Sequence, residues 1–297
     1  MTILDAGSQG LCYSASEKVA AGCDGAVRNG GPVKIRVLGC HGSDQLLERD
    51  GKARQCRTCG FLINGTVMID AGTIGAALRL DEQKRIRHIL LSHLHFDHVQ
   101  GLPTLADNLV EEEAEAVESV TLTSIPSVLD GLHAHLFNGD VYPDFFSLPE
   151  PEHPIFVCRT LDAGKEQEVS GLHVKAIEVN HQVPTIGFLI RDGDSSVLYS
   201  GDTHETDEIW KVAAKDKTLK AAFIETSFPN RLLGLAVASK HLTPALFARE
   251  FKKLGRPDLP VYIYHVKPRF RHEIVGELSQ LNIRNLTVLE EGQEIQV

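Results

Sequence analysis

The chain has 297 residues, 42% of them apolar and 24% charged, a balance that suits a folded globular protein long enough for one large α/β domain or two small ones. Its formal charge of −10, with no lysine or arginine cluster longer than "KPRFR", argues against long nucleic acid as a partner, because a polyanion is repelled. No run of about 18 apolar residues is present, so no membrane span is expected. The first residues also lack the basic and apolar segments of a secretory signal, which points to a cytoplasmic protein with reduced thiols.

In chain order, residues 1–33 are rich in Gly, Ala and Ser, end in "RNGGP" and carry little periodicity. They read as a poorly ordered N-terminal extension, with a single domain over residues 34–297. Strands and helices then interleave: strand "KIRVLGC", a hairpin from "FLING" to "TVMIDAG", helical "EQKRI", strand "HILLS" and a helix through "LADNLVEEEAEA" whose acidic end is solvated. Strand "SVTLTS", a helix near "SVLDGLHAHLF" and the loop "NGDVYPDFFSLPEPEHP" follow, then strands at "LHVKAIEVN", "VPTIGFLIRD" and "SSVLYSGD". The last third alternates helix "TDEIWKVAAK", strand "KAAFIETS", helix "PALFAREFKKL", strand "VYIYHV", helix "RHEIVGELSQL" and strand "LTVLE". Thr243 and Pro244 read as helix cap and first helical residue, and Gly255 as the stop. The pattern predicts a sheet-on-sheet core flanked by helices.

Six cysteines, at positions 12, 23, 40, 56, 59 and 158, are scattered in a chain too large to need disulfide staples. "CRTC" at 56–59 has no second pair at zinc-ribbon spacing, and it reads as two reduced thiols in or beside a strand.

The dense feature is "HLHFDH" at 93–98, directly after the apolar run "HILL". Imidazole and carboxylate are the ligands that borderline divalent metals prefer. His93 and His95, at i and i+2, share a side of extended chain, while Asp97 and His98 turn the other way. One loop can thus serve two metals but complete neither sphere, so further ligands are required. They stand at the ends of apolar strand-like runs: His181 after "VKAIEV", Asp202 after "SSVLYSG" and His265 after "VYIY".

This set, in this order and with "MIDAGT" before it, resembles the H-x-H-x-D-H signature of the metallo-β-lactamase superfamily. The resemblance runs from about residue 34 to 297 and implies an α/β four-layer αββα sandwich. "IETSFPN", "KHLTP" and "YHVKP" narrow it towards the class II 3',5'-cyclic nucleotide phosphodiesterases. Carried over, the resemblance implies that His93, His95 and His181 hold one divalent ion and Asp97, His98 and His265 a second, with Asp202 bridging. The ions would be zinc, with manganese or iron as alternatives. Asp70 is implied to orient a ligand histidine; its plainer reading is an aspartate opening the turn "DAGT".

A water shared by two such ions loses a proton near neutrality and becomes a nucleophile, and the net positive centre suits a singly charged phosphodiester. His241 is then the candidate proton donor to the leaving oxygen, and Glu225 the carboxylate that holds it charged. Asn138, Tyr142 and Phe145, from the loop that resembles the family's substrate side, are candidates to line a nucleotide pocket. His204 either reaches the substrate or is an exposed turn residue, and His41 is equally open. The expected partner is a small cyclic nucleotide such as cAMP or cGMP, and a homodimer is compatible with the resemblance. Rival readings are transfer-RNA 3'-end processing, which calls for a basic surface that the sequence lacks, lactone or thioester hydrolysis, and a metal-stabilised nucleotide-binding protein.

Overall fold

The computed structural model describes residues 32–49, 51–110 and 118–297. The expectations for residues 1–31 and for the acidic helix end at 111–117 lie outside the described residues.

The first half contributes β1 (Lys34–Gly39), a hairpin of β2 (Gln45–Arg49) and β3 (Lys52–Cys56), then β4 (Gly60–Ile63), β5 (Val67–Ile69), β6 (His88–Leu90), β7 (Val120–Ser124), a two-residue ribbon β8 (Pro149–Glu150) with β9 (His153–Pro154), and β10 (Phe156–Thr160). The second half contributes β11 (Glu166–Val169), β12 (Leu172–Glu178), β13 (Ile186–Asp192), β14 (Ser195–Tyr199), β15 (Leu219–Glu225), β16 (Val261–Tyr264), β17 (Leu286–Val288) and β18 (Glu294–Gln296). One seven-stranded sheet runs β10-β7-β6-β5-β4-β1-β18 and the other β11-β12-β13-β14-β15-β16-β17. Each is built alike: β18, β1, β4 and β5 pair antiparallel before β5, β6, β7 and β10 turn parallel, and β11 to β14 pair antiparallel before β14 to β17 turn parallel.

Side-chain alternation along the strands divides the apolar residues into layers. Ile35, Val37, Phe61, Ile63 and Ile69 of the first sheet meet Val174, Ile186, Phe188, Ile190 and Phe223 of the second in one buried core between the sheets. Phe61 sits edge-on to Tyr199, Phe223 and Tyr264, with ring centroids 5.6, 6.1 and 5.6 Å away, and so links the sheets. Such a pair contributes about 0.5–1.5 kcal/mol beyond the area it buries.

The opposite faces carry Leu62, Met68, Ile89 and Leu122 against helices α1 (Gly101–Leu109) and α2 (Pro126–His135), and Leu198, Ala222, Ile224 and Ile263 against α3 (Glu208–Lys215), α4 (Pro244–Lys252) and α5 (Arg271–Ser279). The result is the four-layer αββα sandwich.

Most of the predicted elements appear where the periodicity puts them. Thr243 caps α4, its hydroxyl accepting the Leu246 amide at 3.4 Å, with Pro244 first in the helix. The β2–β3 hairpin was not anticipated, because its charged, largely exposed residues give no apolar period. Nor was the short helix Leu233–Ser239, whose Leu233, Leu235 and Val237 are exposed rather than packed in the core. Among the described residues, no helix is long and apolar enough to cross a membrane.

Candidate metal centre

The parallel strands end at one rim of the sandwich, and the polar residues of the sequence motif collect there. After β6 the chain runs through His93 and His95 and then enters a four-residue helix, Phe96–Val99, which carries Asp97 and His98; the His98 ring does not turn the other way, since it lies 4.2 Å from that of His93, nearer than the His95 ring at 4.7 Å. His181 follows β12, Asp202 follows β14 and His265 follows β16. Turning a side chain back from a strand end requires unusual backbone. Asp70 and His265 have φ of 54° and 61°, the left-handed region that costs non-glycine residues about 1–3 kcal/mol and that collects at functional sites. Gly201, with φ 61°, turns the chain just before Asp202, and a Cβ there would lie 2.7 Å from the Ile186 carbonyl oxygen.

Asp202 is central. Its Oδ2 lies 3.1 Å from His265 Nε2, 3.3 Å from His98 Nε2 and 3.7 Å from His93 Nε2. His265 Nε2 is also 3.2 Å from Asp97 Oδ2, and His181 Nε2 is 3.1 Å from His95 Nδ1. All seven residues that the resemblance implies as ligands are therefore brought together.

Hydrogen bonding fixes which ring nitrogen each histidine can offer. Ser92 donates its hydroxyl to Asp70 at 2.9 Å, which leaves that oxygen to accept from His93 Nδ1, also at 2.9 Å. His98 Nδ1 donates to Asp70 at 2.8 Å, and His181 Nδ1 to the Lys240 carbonyl at 3.1 Å. Ser227 donates to Glu225 at 3.0 Å and accepts from His265 Nδ1 at 2.8 Å. Four imidazoles thus spend Nδ1 on an acceptor and keep Nε2 for the centre.

Asp70 does more than open a turn: its carboxylate accepts from the Ser92 amide, the Ser92 hydroxyl, the Tyr199 hydroxyl at 2.7 Å and His98.

Charge states divide along the same lines. Burial pushes His93, His95 and His265 below the ordinary histidine pKa and His181 down to about 4, so these rings are neutral and able to bind a cation. Burial opposes the charge on His98 as well, but the carboxylates of Asp202 and Asp70 outweigh it and raise that ring. The donor set suits a divalent metal on a further ground. His93 Nε2, His98 Nε2 and Asp202 Oδ1 are buried and have no hydrogen-bond partner among the described residues, a condition that costs roughly 1–3 kcal/mol per group and that a shared cation relieves.

Beside Asp202 stands a second pair. Glu225 Oε1, fully buried, is 2.9 Å from His241 Nδ1, and the same oxygen accepts the amides of Thr203 and Leu242 at 3.2 Å. Burial works against a charge on His241, yet the Glu225 carboxylate more than offsets it and raises its pKa. His241 Nδ1 is also 4.0 Å from Asp202 Oδ2. His204 is neither solvent-facing nor free: it is partly buried, and its Nδ1 lies 3.1 Å from the His241 carbonyl oxygen.

The three pocket candidates make their contacts away from the histidine cluster. The Asn138 amide oxygen accepts the Asp140 and Val141 amides, which is a local turn; the Tyr142 hydroxyl donates to Asp107; Phe145 packs on Phe137 and Tyr142 in the core outside the first sheet. Among the described residues, no hydrogen bond or ring contact joins them to the histidine cluster. An aromatic-rich loop is equally good packing material.

His41 is buried, its Nδ1 2.8 Å from Glu291 Oε1, and that contact holds Glu291 down at about pKa 2 although burial acts the other way. The segment supports the centre through its backbone, since the Cys40 carbonyl accepts the His265 amide at 2.7 Å. Sequence reading overlooked Ser92, Tyr199 and Ser227. Only Ser227 carried a usable signal, two residues past Glu225 on extended chain.

Residues 65–263 match the family model described as a beta-lactamase superfamily domain. A Yersinia pestis protein named a probable 3',5'-cyclic-nucleotide phosphodiesterase is 26% identical over 238 residues, covering 67% of this chain and 64% of that relative, so a third of the relative's length has no counterpart in the match. Yeast PDE1 superposes with a TM-score of 0.74 at 17% identity over 90% of this chain and 99% of its own. The Bacillus subtilis metallo-beta-lactamase fold protein YhfI gives 0.68 at 15% identity over 90% and 100%, and the short form of human tRNase Z 0.60 at 16% identity over 88% and 98%. The chain belongs to the beta-lactamase superfamily and has the metallo-β-lactamase fold of its metal-dependent hydrolases.

Proposed function

We propose that the protein is a dinuclear metal-dependent phosphodiesterase that opens 3',5'-cyclic nucleotides to 5'-nucleotides. The observation that carries this reading is the buried Glu225–His241 pair beside Asp202, a proton donor placed against the ligand cluster. The name of the Yersinia pestis relative supports the same substrate class.

His93, His95 and His181 are assigned to one divalent ion, Asp97, His98 and His265 to the other, and Asp202 to both. Zinc is the first candidate for this donor set, with manganese or iron as alternatives. Ions so held supply Lewis acidity and lower the pKa of a coordinated water.

The chain's own residues do the rest. Asp70 and Ser92 orient His98 and His93, as carboxylates behind ligand imidazoles do. Glu225 keeps His241 protonated and, by occupying Nδ1, leaves Nε2 as the nitrogen that gives up a proton. When water oxygen bonds to phosphorus, one water proton passes to solvent, the bond from phosphorus to O3' breaks and the His241 proton goes to O3', after which His241 is reprotonated from solvent. A sugar alkoxide leaves poorly without that proton, and such help is typically worth about 10²–10⁴-fold.

The test is a substrate panel on metal-quantified protein: cAMP, cGMP, an aryl phosphodiester, a precursor transfer RNA and a lactone. Turnover of the cyclic nucleotides to 5'-monophosphates is the expected result. Preferential cleavage of the transfer RNA or of the lactone would replace this reading with the corresponding rival.

A further inference from the structure

Cys59 belongs to the "CRTC" segment that sequence reading set aside, and it is fully buried immediately before β4. Its Sγ and one ring nitrogen each of His98 and His265 all lie within 4.8 Å of one another, close enough to converge on one metal ion. A second observation concerns one of these histidines: His98 is 0% exposed and its Nε2 has no hydrogen-bond partner among the described residues, which leaves that nitrogen for a cation. The partner of the Cys59 thiol is weak, the His41 carbonyl oxygen at 3.6 Å.

We propose that Cys59 is a thiolate ligand of the ion held by Asp97, His98 and His265. This rests on the reading that the cluster holds divalent ions. Without a cation, a thiolate here is strongly disfavoured: burial removes its solvation, and the carboxylates of Asp202, Asp70 and Asp97 repel it. A divalent ion reverses that balance, since the cation is the largest local charge and a coordinating thiol gives up its proton outright. On binding, the S–H proton passes to solvent and a metal–sulfur bond forms, with no change of oxidation state. One side of the centre is then all imidazole and carboxylate, and the other carries a soft sulfur donor that favours thiophilic ions.

The other cysteines serve as controls. Cys56 is buried at the end of β3, and Cys40 lies beside His41 and Glu291 rather than among the site histidines.

The experiment is cobalt(II) loading of the full chain, read by absorption spectroscopy, with X-ray absorption at the zinc edge on the zinc-loaded wild type. The expected result is a thiolate-to-cobalt charge-transfer band in the near ultraviolet, present in wild type, Cys56→Ser and Cys40→Ser and absent in Cys59→Ser. The zinc-loaded wild type should show a sulfur neighbour at about 2.3 Å. Cys59→Ser should also bind one of its ions about 10–100-fold more weakly. Visible cobalt d–d bands without a charge-transfer band, together with zinc spectra fitted by nitrogen and oxygen alone, would overturn the thiolate while leaving the metal centre in place. Absence of any d–d band would overturn both readings. The wild-type measurements stand even if Cys59→Ser does not fold.

Discussion

Around Asp202, the His93–His95–His181 group and the Asp97–His98–His265 group are built by different means. The first is made of neutral imidazoles: burial lowers all three, and each that uses Nδ1 uses it on a hydroxyl or a backbone carbonyl. The second is built with charge. His98 sits between two carboxylates that raise its pKa, and Asp97 is held well below the usual carboxylate range by the His265 ring 3.2 Å away and by His98, against the effect of burial. The first group can accept a cation as it stands, whereas the second must exchange a proton for one. On the proposed assignment, metal binding at the second group is therefore coupled to proton release, and its affinity should rise with pH.

The contrast is broken most severely at the residue both groups share. Asp202→Ala removes the carboxylate that lies within 3.7 Å of three ligand histidines, so elemental analysis should show ions lost from both groups and turnover abolished. Full retention of one ion would show that Asp202 belongs to a single group.

His241→Ala comes next, and it separates proton transfer from metal binding. Both ions should stay, while cyclic nucleotide turnover falls about 10²–10⁴-fold and an aryl phosphodiester, whose phenolate leaves unaided, loses much less. Equal losses on both substrates with metal intact would make His241 a stabiliser of phosphoryl charge instead.

Asp70→Asn sharpens the comparison between the groups. It keeps the shape of the residue and removes the charge on which His98 leans, so titration should show one ion bound about 10–100-fold more weakly and the other nearly unchanged. Equal weakening of both ions would mean that Asp70 acts through the whole rim, by way of Ser92 and Tyr199, rather than through His98.

Much of this cluster was legible in the sequence because the residues proposed as ligands obey local rules. Four of them crowd one turn, and the other three stand where apolar strands end, so the β-sheet that buries a strand also announces its last residue. Asp202, His181 and His265 were found that way. The αββα layering was legible for a related reason: alternation in strands such as "KIRVLG" assigns one set of side chains to each face. What escaped depends on contacts across long sequence separations. Tyr199 is 129 residues from Asp70, and nothing near either predicts that a phenol donates to that carboxylate. Cys59 looked like strand packing because its proximity to His98 and His265 exists only after two sheets have closed over it.

The loop at 138–145 is a different case, where the sequence suggests a pocket and the side chains make their contacts away from the histidine cluster. Asn138 is exposed and ties its own turn, accepting the Val141 amide at 2.8 Å and the Asp140 amide at 3.0 Å while donating to the Ala134 carbonyl at 3.2 Å. Replacing it with alanine removes these local bonds, each worth a net 0.5–1.5 kcal/mol or less at an exposed turn, so the expected loss is roughly 1 kcal/mol of stability by denaturant titration. KM and kcat for a cyclic nucleotide should not move, because the side chain has no hydrogen bond to the rim of Asp202 and His241. A rise in KM at unchanged stability would return Asn138 to the substrate pocket, and would mean that this loop closes over the centre when nucleotide is bound.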